Sequence, residues 1–355
     1  MGTVEFMSRL ELPDPALFAG RSEREIRAWC RYFYTTPAIP GKPPSLRAHA
    51  LALYDPFAKR SDFPAGIRLC ANVYVGCENG CYYCYVRNYI PAPDQPRRKK
   101  DFIRRAMRDL RELDALQVPP VPLHISNSTD PFQAVLECKY QDTLRLLELI
   151  VPYRHRFTTI TFLTKNALLT AQPAYINWLH ALRPCQVEVS VSFADETSRQ
   201  MFEPFAPPIP SRLEGIRRLR AAGIPVSLRI DPLFPREPLS PDFWPKPRLT
   251  DYGLDRTHTL EEIESLVRFA AETACQKIVV SPLKVPVGRW ASLEFKERFR
   301  ELYGAPFGGK PRTRSFAWRL PEDYVDRFLI GPVKEMAATY GVAISTCAAN
   351  LLNTR

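Results

Sequence analysis

The sequence predicts an α/β fold: a partial (β/α)6 barrel of the TIM type, with an N-terminal extension and helical C-terminal additions. Three observations carry this expectation. From about residue 67, short apolar runs alternate with longer runs of helical period, the pattern of βα units that build a parallel sheet. The apolar runs end in polar residues, and parallel α/β barrels keep their sites at the C-terminal ends of the strands. At 355 residues and 45% hydrophobic content, the chain can bury a core of barrel size.

In chain order, residues 1–66 read as an extension, with an amphipathic helix near 22–34 and a proline-rich stretch at 37–44. Residues 67–285 form the barrel core. Its strands are expected at 68–75, 121–126, 157–164, 186–192, 224–230 and 277–281, each a short apolar or β-branched run. Helices fall between them near 101–116, 140–151, 172–182, 211–222 and 259–274. Residues 286–355 close the barrel, with helices near 292–303 and 321–340 and a last short strand at 342–346. No repeat of solenoid period is present.

Composition narrows the setting. Nine cysteines in 355 residues are not a disulfide framework, which points to a reducing, cytoplasmic environment. No stretch approaches twenty consecutive apolar residues, so no membrane segment is expected. The net charge of +11 favours polyanionic partners. Its densest run is Arg97, Arg98, Lys99 and Lys100, continued by Arg104, Arg105, Arg108 and Arg111. On a helix, Arg104, Arg108 and Arg111 share a face, which either follows a phosphate backbone or simply meets water.

The chemistry concentrates in Asn72–Arg87, where Cys77, Cys81 and Cys84 converge and Gly76 and Gly80 let the backbone turn. A structural zinc site takes four ligands, and no second Cys or His pair follows. A fully protein-ligated iron–sulfur cluster also takes four cysteines. Three thiolates leave one iron open, and an open position suggests chemistry. A loop zinc site remains the alternative.

Cys-x3-Cys-x2-Cys, with the aromatic Tyr83 before the last cysteine, resembles the radical S-adenosylmethionine (radical SAM) enzymes. The longer form, from Asn72 and Tyr74 to Tyr85 and Arg87, is similar to the branch that contains spore photoproduct lyase. Similar segments follow at Phe202–Pro208, Arg212–Leu213 and Ala222–Val226, so the resemblance spans roughly 68–235. It implies a 4Fe–4S cluster on Cys77, Cys81 and Cys84. The open iron would chelate S-adenosyl-L-methionine, and one electron would cleave it to a 5′-deoxyadenosyl radical. An electron donor of the reductase or flavodoxin type is implied as partner.

The resemblance also assigns the cofactor pocket. Strand ends supply Thr129 and Asp130, Lys165, Ser190 and Ser192, and Arg229, with Tyr83 and Tyr85 bracketing Cys84. Lys165 is expected to meet the cofactor's carboxylate, and Asp130 a cofactor donor. Thr129 and Asp130 alternatively shape the turn at Pro131. Spore photoproduct lyase carries a cysteine three residues before the Asp of the second-strand motif, which returns hydrogen to the product radical. Here that position is Asn127, and Cys138 lies too far along the chain to replace it. Cys347, after the last strand, is a candidate hydrogen donor or cluster-proximal thiol; Cys70, Cys185 and Cys275 read as packing residues, and Cys30 lies in the extension helix.

The expected activity is hydrogen abstraction from a DNA or RNA lesion or modified base. A peptide or small metabolite is the second substrate class. A non-enzymatic zinc protein that binds nucleic acid through its basic helix is the reading from another class. The sequence leaves the oligomeric state open.

Overall fold

The strand Cys185–Ser190 alternates apolar and polar residues, and the computed structural model shows where each set goes. Cys185, Val187 and Val189 join the main hydrophobic core, so Gln186, Glu188 and Ser190 leave from the opposite face. The neighbouring strands split the same way, and register aligns their polar members. Cys70 sits opposite His124, His124 opposite Thr161, and Thr161 opposite Gln186. Towards the strand ends, Glu188 pairs with Ser227 and Ser190 with Arg229. One face of the sheet packs on helices, and the other lines a polar lumen.

The structure describes residues 20, 22–34, 47–53, 68–235, 258–286, 288–293, 317–320 and 322–346. Its main sheet is built from β1 (Leu51–Leu53), β2 (Leu69–Ala71), β5 (Val121–Ile125), β6 (Phe157–Thr164), β7 (Cys185–Ser190), β8 (Val226–Leu233), β9 (Ile278–Pro282) and β12 (Ile344–Thr346), in that order. All pairs from β2 onward are parallel, and β1 runs antiparallel along the β2 edge. The sheet order does not return on itself, which makes the expected partial barrel an open one. Two small hairpin-like pairs join it: β3 (Tyr74–Val75) with β4 (Arg97–Arg98), and β10 (Lys284–Pro286) with β11 (Ala317–Arg319).

Helices cover the apolar face: α1 (Glu23–Phe33), α2 (Phe102–Ala115), α3 (Ala134–Tyr140), α4 (Asp142–Ile150), α5 (Ala167–Thr170), α6 (Pro173–Ala181), α7 (Glu196–Phe202), α8 (Ile209–Ala221), α9 (Leu260–Glu272) and α10 (Gly331–Thr339). α1 and α9 each begin with a full capping box, Ser22 with Glu25 and Thr259 with Glu262. None is long and apolar enough to cross a membrane.

The structure differs from the expected elements in a few places. The helix expected at 140–151 is α4, and an unexpected α3 precedes it, set off by Gln141 in a left-handed conformation, φ 53°. The strand expected at 68–75 stops at Ala71 and resumes as β3, which turns away to pair with β4. The helix expected at 292–303 falls almost wholly outside the described residues. The extension packs into the barrel's own core through Trp29, Tyr32 and Phe33. His49, Asp109 and Glu112 gather beneath it within 4.8 Å of one another, but Arg108 and Arg47 already supply the positive charge there.

Candidate active site

The cysteine loop leaves β3 and is shaped by two glycines in left-handed conformations. Gly76 has φ +74°, and a side chain there would meet the Pro93 carbonyl oxygen at 2.8 Å; Gly80 has φ +65° and packs under the Phe205 ring. Arg87, buried two residues past Tyr85, holds the loop from within. Its Nε donates to the Cys81 carbonyl at 2.9 Å and its Nη2 to the Gly80 carbonyl at 3.0 Å, while Asp94 balances its charge at 2.6 Å. Sequence reasoning gave Arg87 no role, although it closes the motif.

Burial pushes the three thiols up, Cys81 to about 12, and for Cys77 and Cys81 a neighbouring sulfur adds to the shift. Deprotonating all three therefore requires a positive centre between them. Three thiols on a loop that offers no histidine fit an iron–sulfur cubane with one iron left for another ligand.

The loop is tied to the β5 end. Glu78 accepts from the Val135 amide at 2.8 Å and from the Ala134 amide, which caps α3 with an acidic group. Thr129 donates to the Gly76 carbonyl and accepts from Gln133 Nε2 at 2.9 Å. Asp130 is buried, and its carboxylate accepts from Asn79 Nδ2 (3.2 Å), the Phe132 amide (3.0 Å), Thr164 Oγ1 (2.7 Å) and the Lys165 amide (2.7 Å). Expected on the cofactor, Asp130 is instead occupied by four protein donors that bind the loop to two strand ends.

Lys165 projects from the end of β6. Its Nζ lies 2.8 Å from Ser190 Oγ and 2.8 Å from Glu203 Oε1. Glu203, inside the Phe202–Pro208 segment but without an expected role, also accepts from the Tyr83 hydroxyl and faces Arg212 Nη2 at 2.6 Å, a charge contact without hydrogen-bond angles. Burial alone would raise the Glu203 carboxyl, but Arg212 and then Lys165 outweigh it and hold it down at about 2. Two buried or nearly buried cations thus share one carboxylate. The surplus positive charge lies on the lysine, where an incoming carboxylate would be neutralised.

The other expected residues separate into two groups. Ser192 donates to the Asp231 carbonyl at 2.9 Å, and Ser190 lies beside it at 3.5 Å from the same oxygen. Arg229 points into the lumen but is bound by Glu188 at 2.6 Å and by Asp231. Tyr83 turns inward, its ring edge-on to Phe234 at 5.7 Å, whereas Tyr85 stands at the mouth with its hydroxyl on the Asn127 carbonyl. Cys347 lies outside the described residues. Cys185 and Cys275 are buried as expected. Cys70 is buried too, but it stays outside the main apolar cluster, and Asn127 Nδ2 donates to its sulfur at 3.2 Å.

A model of the radical SAM superfamily matches residues 71–241, which run from the end of β2 past β8. Among solved structures, the chain is similar to a cysteine-to-serine mutant of spore photoproduct lyase, with 11% identity, 88% of each chain covered and a TM-score of 0.54. It is also similar to a mutant of that lyase with bound AdoMet and dinucleoside spore photoproduct, with 12% identity, 88% and 87% covered and a TM-score of 0.53. At such identity the likeness is one of fold. An uncharacterized protein of Acidianus two-tailed virus, ORF301, is 26% identical over 223 residues, 55% of this chain and 70% of that one. The three cluster cysteines lie inside the matched segment, so residues 71–241 are a radical SAM domain and the chain is a radical SAM enzyme.

Proposed function

We propose that the enzyme acts on nucleic acid: a hydrogen atom is taken from a lesion or modified base, Cys70 returns one to the product radical, and one electron from the electron donor with a solvent proton restores the Cys70 thiyl radical to the thiol. When bound, the cluster and S-adenosylmethionine supply a one-electron cleavage that releases a 5′-deoxyadenosyl radical. The chain's own residues hold and orient. Cys77, Cys81 and Cys84 carry the cluster, Lys165 offers its free donor capacity to the cofactor carboxylate, and Tyr83 and Glu203 fix that lysine. Eight described cysteines are free, which accords with a reducing cytoplasm, and the one-electron cleavage calls for an electron donor of the reductase or flavodoxin type.

The contact between Asn127 and Cys70 carries this reading. Asn127 stands where the resemblance places the hydrogen-returning cysteine of spore photoproduct lyase, and its amide holds another thiol at 3.2 Å from the adjacent strand. Burial pushes the Cys70 thiol up, so its S–H bond stays intact at neutral pH and a hydrogen atom is available.

The test is to incubate the reconstituted, reduced enzyme with the cofactor and with damaged or undamaged oligonucleotides in D2O. The expected result is 5′-deoxyadenosine that increases with a damaged oligonucleotide, and deuterium in the product. Cys70→Ser should keep 5′-deoxyadenosine formation and lose the deuterium. Cleavage indifferent to every oligonucleotide would overturn the substrate class, and full deuterium incorporation by Cys70→Ser would overturn the donor.

A further inference from the structure

Two exposed aromatic rings lie side by side next to the cluster loop. Tyr85 is 43% exposed and Tyr89 is 53% exposed, whereas Tyr32, Tyr74, Phe132, Phe162, Phe193, Phe202 and Phe234 are buried. Single exposed apolar groups are ordinary. These two are adjacent, with ring centroids 6.1 Å apart and planes tilted by 45°. Both are also anchored by their polar tips. The Tyr85 hydroxyl donates to the Asn127 carbonyl, and the Tyr89 hydroxyl lies 2.8 Å from Ser128 Oγ. The turn that holds them follows β5 at the C-terminal end of the sheet, and Tyr85 follows Cys84 directly.

We propose that Tyr85 and Tyr89 form a stacking platform for one unpaired or extruded nucleobase at the barrel mouth. The proposal rests on the nucleic-acid reading above and deepens it. An anchored tyrosine loses little further freedom when a ligand settles on it, so its exposed ring face is already organised for contact. A base inside a duplex has both faces covered by its neighbours; only a single-stranded or flipped base can offer a face to a side chain.

The surroundings suit the backbone of such a strand. Asn88, between the two tyrosines, accepts from the Gly288 amide at 2.8 Å, and a side chain at Gly288 would strike the Asn88 backbone at 2.5 Å. That close approach brings Arg289 and Trp290 to the same turn, with the guanidinium 5.0 Å from the indole ring. On the chain's other side, exposed Arg97 donates to the Pro91 carbonyl at 3.2 Å, two residues past Tyr89. Arginines therefore flank the platform from two segments, as contacts to phosphate require.

The experiment uses the full-length holoenzyme and a fluorescent single-stranded DNA 12-mer, titrated by anisotropy at several salt concentrations. The same oligonucleotide annealed as a duplex is the comparison. Wild-type enzyme should prefer the single strand. Tyr85→Leu and Tyr89→Leu should each weaken single-strand binding about tenfold to a hundredfold. Tyr89→Phe keeps the ring and should stay within a few-fold of wild type, which separates stacking from lost fold. The salt slope should not change in the leucine variants, because an aromatic contact releases no counterion. Single-strand binding by both leucine variants at wild-type strength overturns the platform while leaving the substrate class intact. Wild-type enzyme that binds neither oligonucleotide overturns the substrate class and the platform with it.

Discussion

Glu203 sits buried between Arg212, Lys165 and the Tyr83 hydroxyl, and it anchors the polar side of the site. Replacing it with glutamine leaves a buried guanidinium without a counter-charge. The expected destabilisation of Glu203→Gln is about 3–5 kcal/mol, measured by urea unfolding at pH 7. Its carboxyl lies at about 2, below the ordinary 4.5, so its contribution is fully present above pH 4.5 and is lost as pH falls towards 2. The gap between wild type and variant should therefore narrow across that window; a constant gap would show that the ionised carboxylate is not what matters. The cluster cysteines were legible in the sequence because their spacing is local. Glu203 was not, because Tyr83 lies 120 residues away and Lys165 lies 38 away, and only the fold brings them together. The same holds for Cys70, whose partner Asn127 is 57 residues distant.

At the scale of the element, the cysteine loop depends on two glycines whose surroundings differ. A methyl at Gly76 meets the backbone carbonyl oxygens of Pro93 at 2.8 Å and Gln95 at 3.0 Å, which cannot step aside. A methyl at Gly80 meets Phe205 at 2.7 Å, a ring that is 72% exposed and free to swing into solvent. Both sites also pay the left-handed strain of roughly 1–2 kcal/mol. Gly76→Ala and Cys81→Ala should then each lose most of the reconstituted iron, while Gly80→Ala keeps more. Equal iron in the two glycine variants would contradict this ranking. The barrel strands were legible because a half-apolar strand alternates and a covered one runs apolar. α7 was not drawn: it is short, and its start rests on one contact, the Asp195 side chain accepting from the Ser198 amide at 2.7 Å. β1 was missed because it is three residues long and exists as a strand only through its pairing with β2.

Over the whole molecule, the net charge of +11 is distributed differently from the stripe that helical spacing suggested. Arg98 is bound by Asp142 through two contacts, at 2.6 and 2.8 Å, and Lys99 donates to the Asn72 carbonyl at 2.6 Å. Arg108 binds Asp109 at 2.8 Å and the Ala48 carbonyl at 3.0 Å, fastening the extension to α2. These three residues hold the fold together. Arg104 and Arg105 remain exposed in the first turn of α2, and Arg104 makes only a surface contact, 3.1 Å from Asp101. In a βα unit the helix starts at the strands' C-terminal end, so this turn lies on the side of the cluster loop. A polyanion reaching the mouth would then release counterions from both arginines. The double substitution Arg104→Ala with Arg105→Ala should flatten the plot of log affinity against log salt by about 1.4 to 1.8 for a nucleic-acid ligand. Arg108→Ala should lower unfolding stability by loosening the extension and leave that slope in place. A slope unchanged by the Arg104 and Arg105 pair would mean that nucleic acid approaches the barrel from another side.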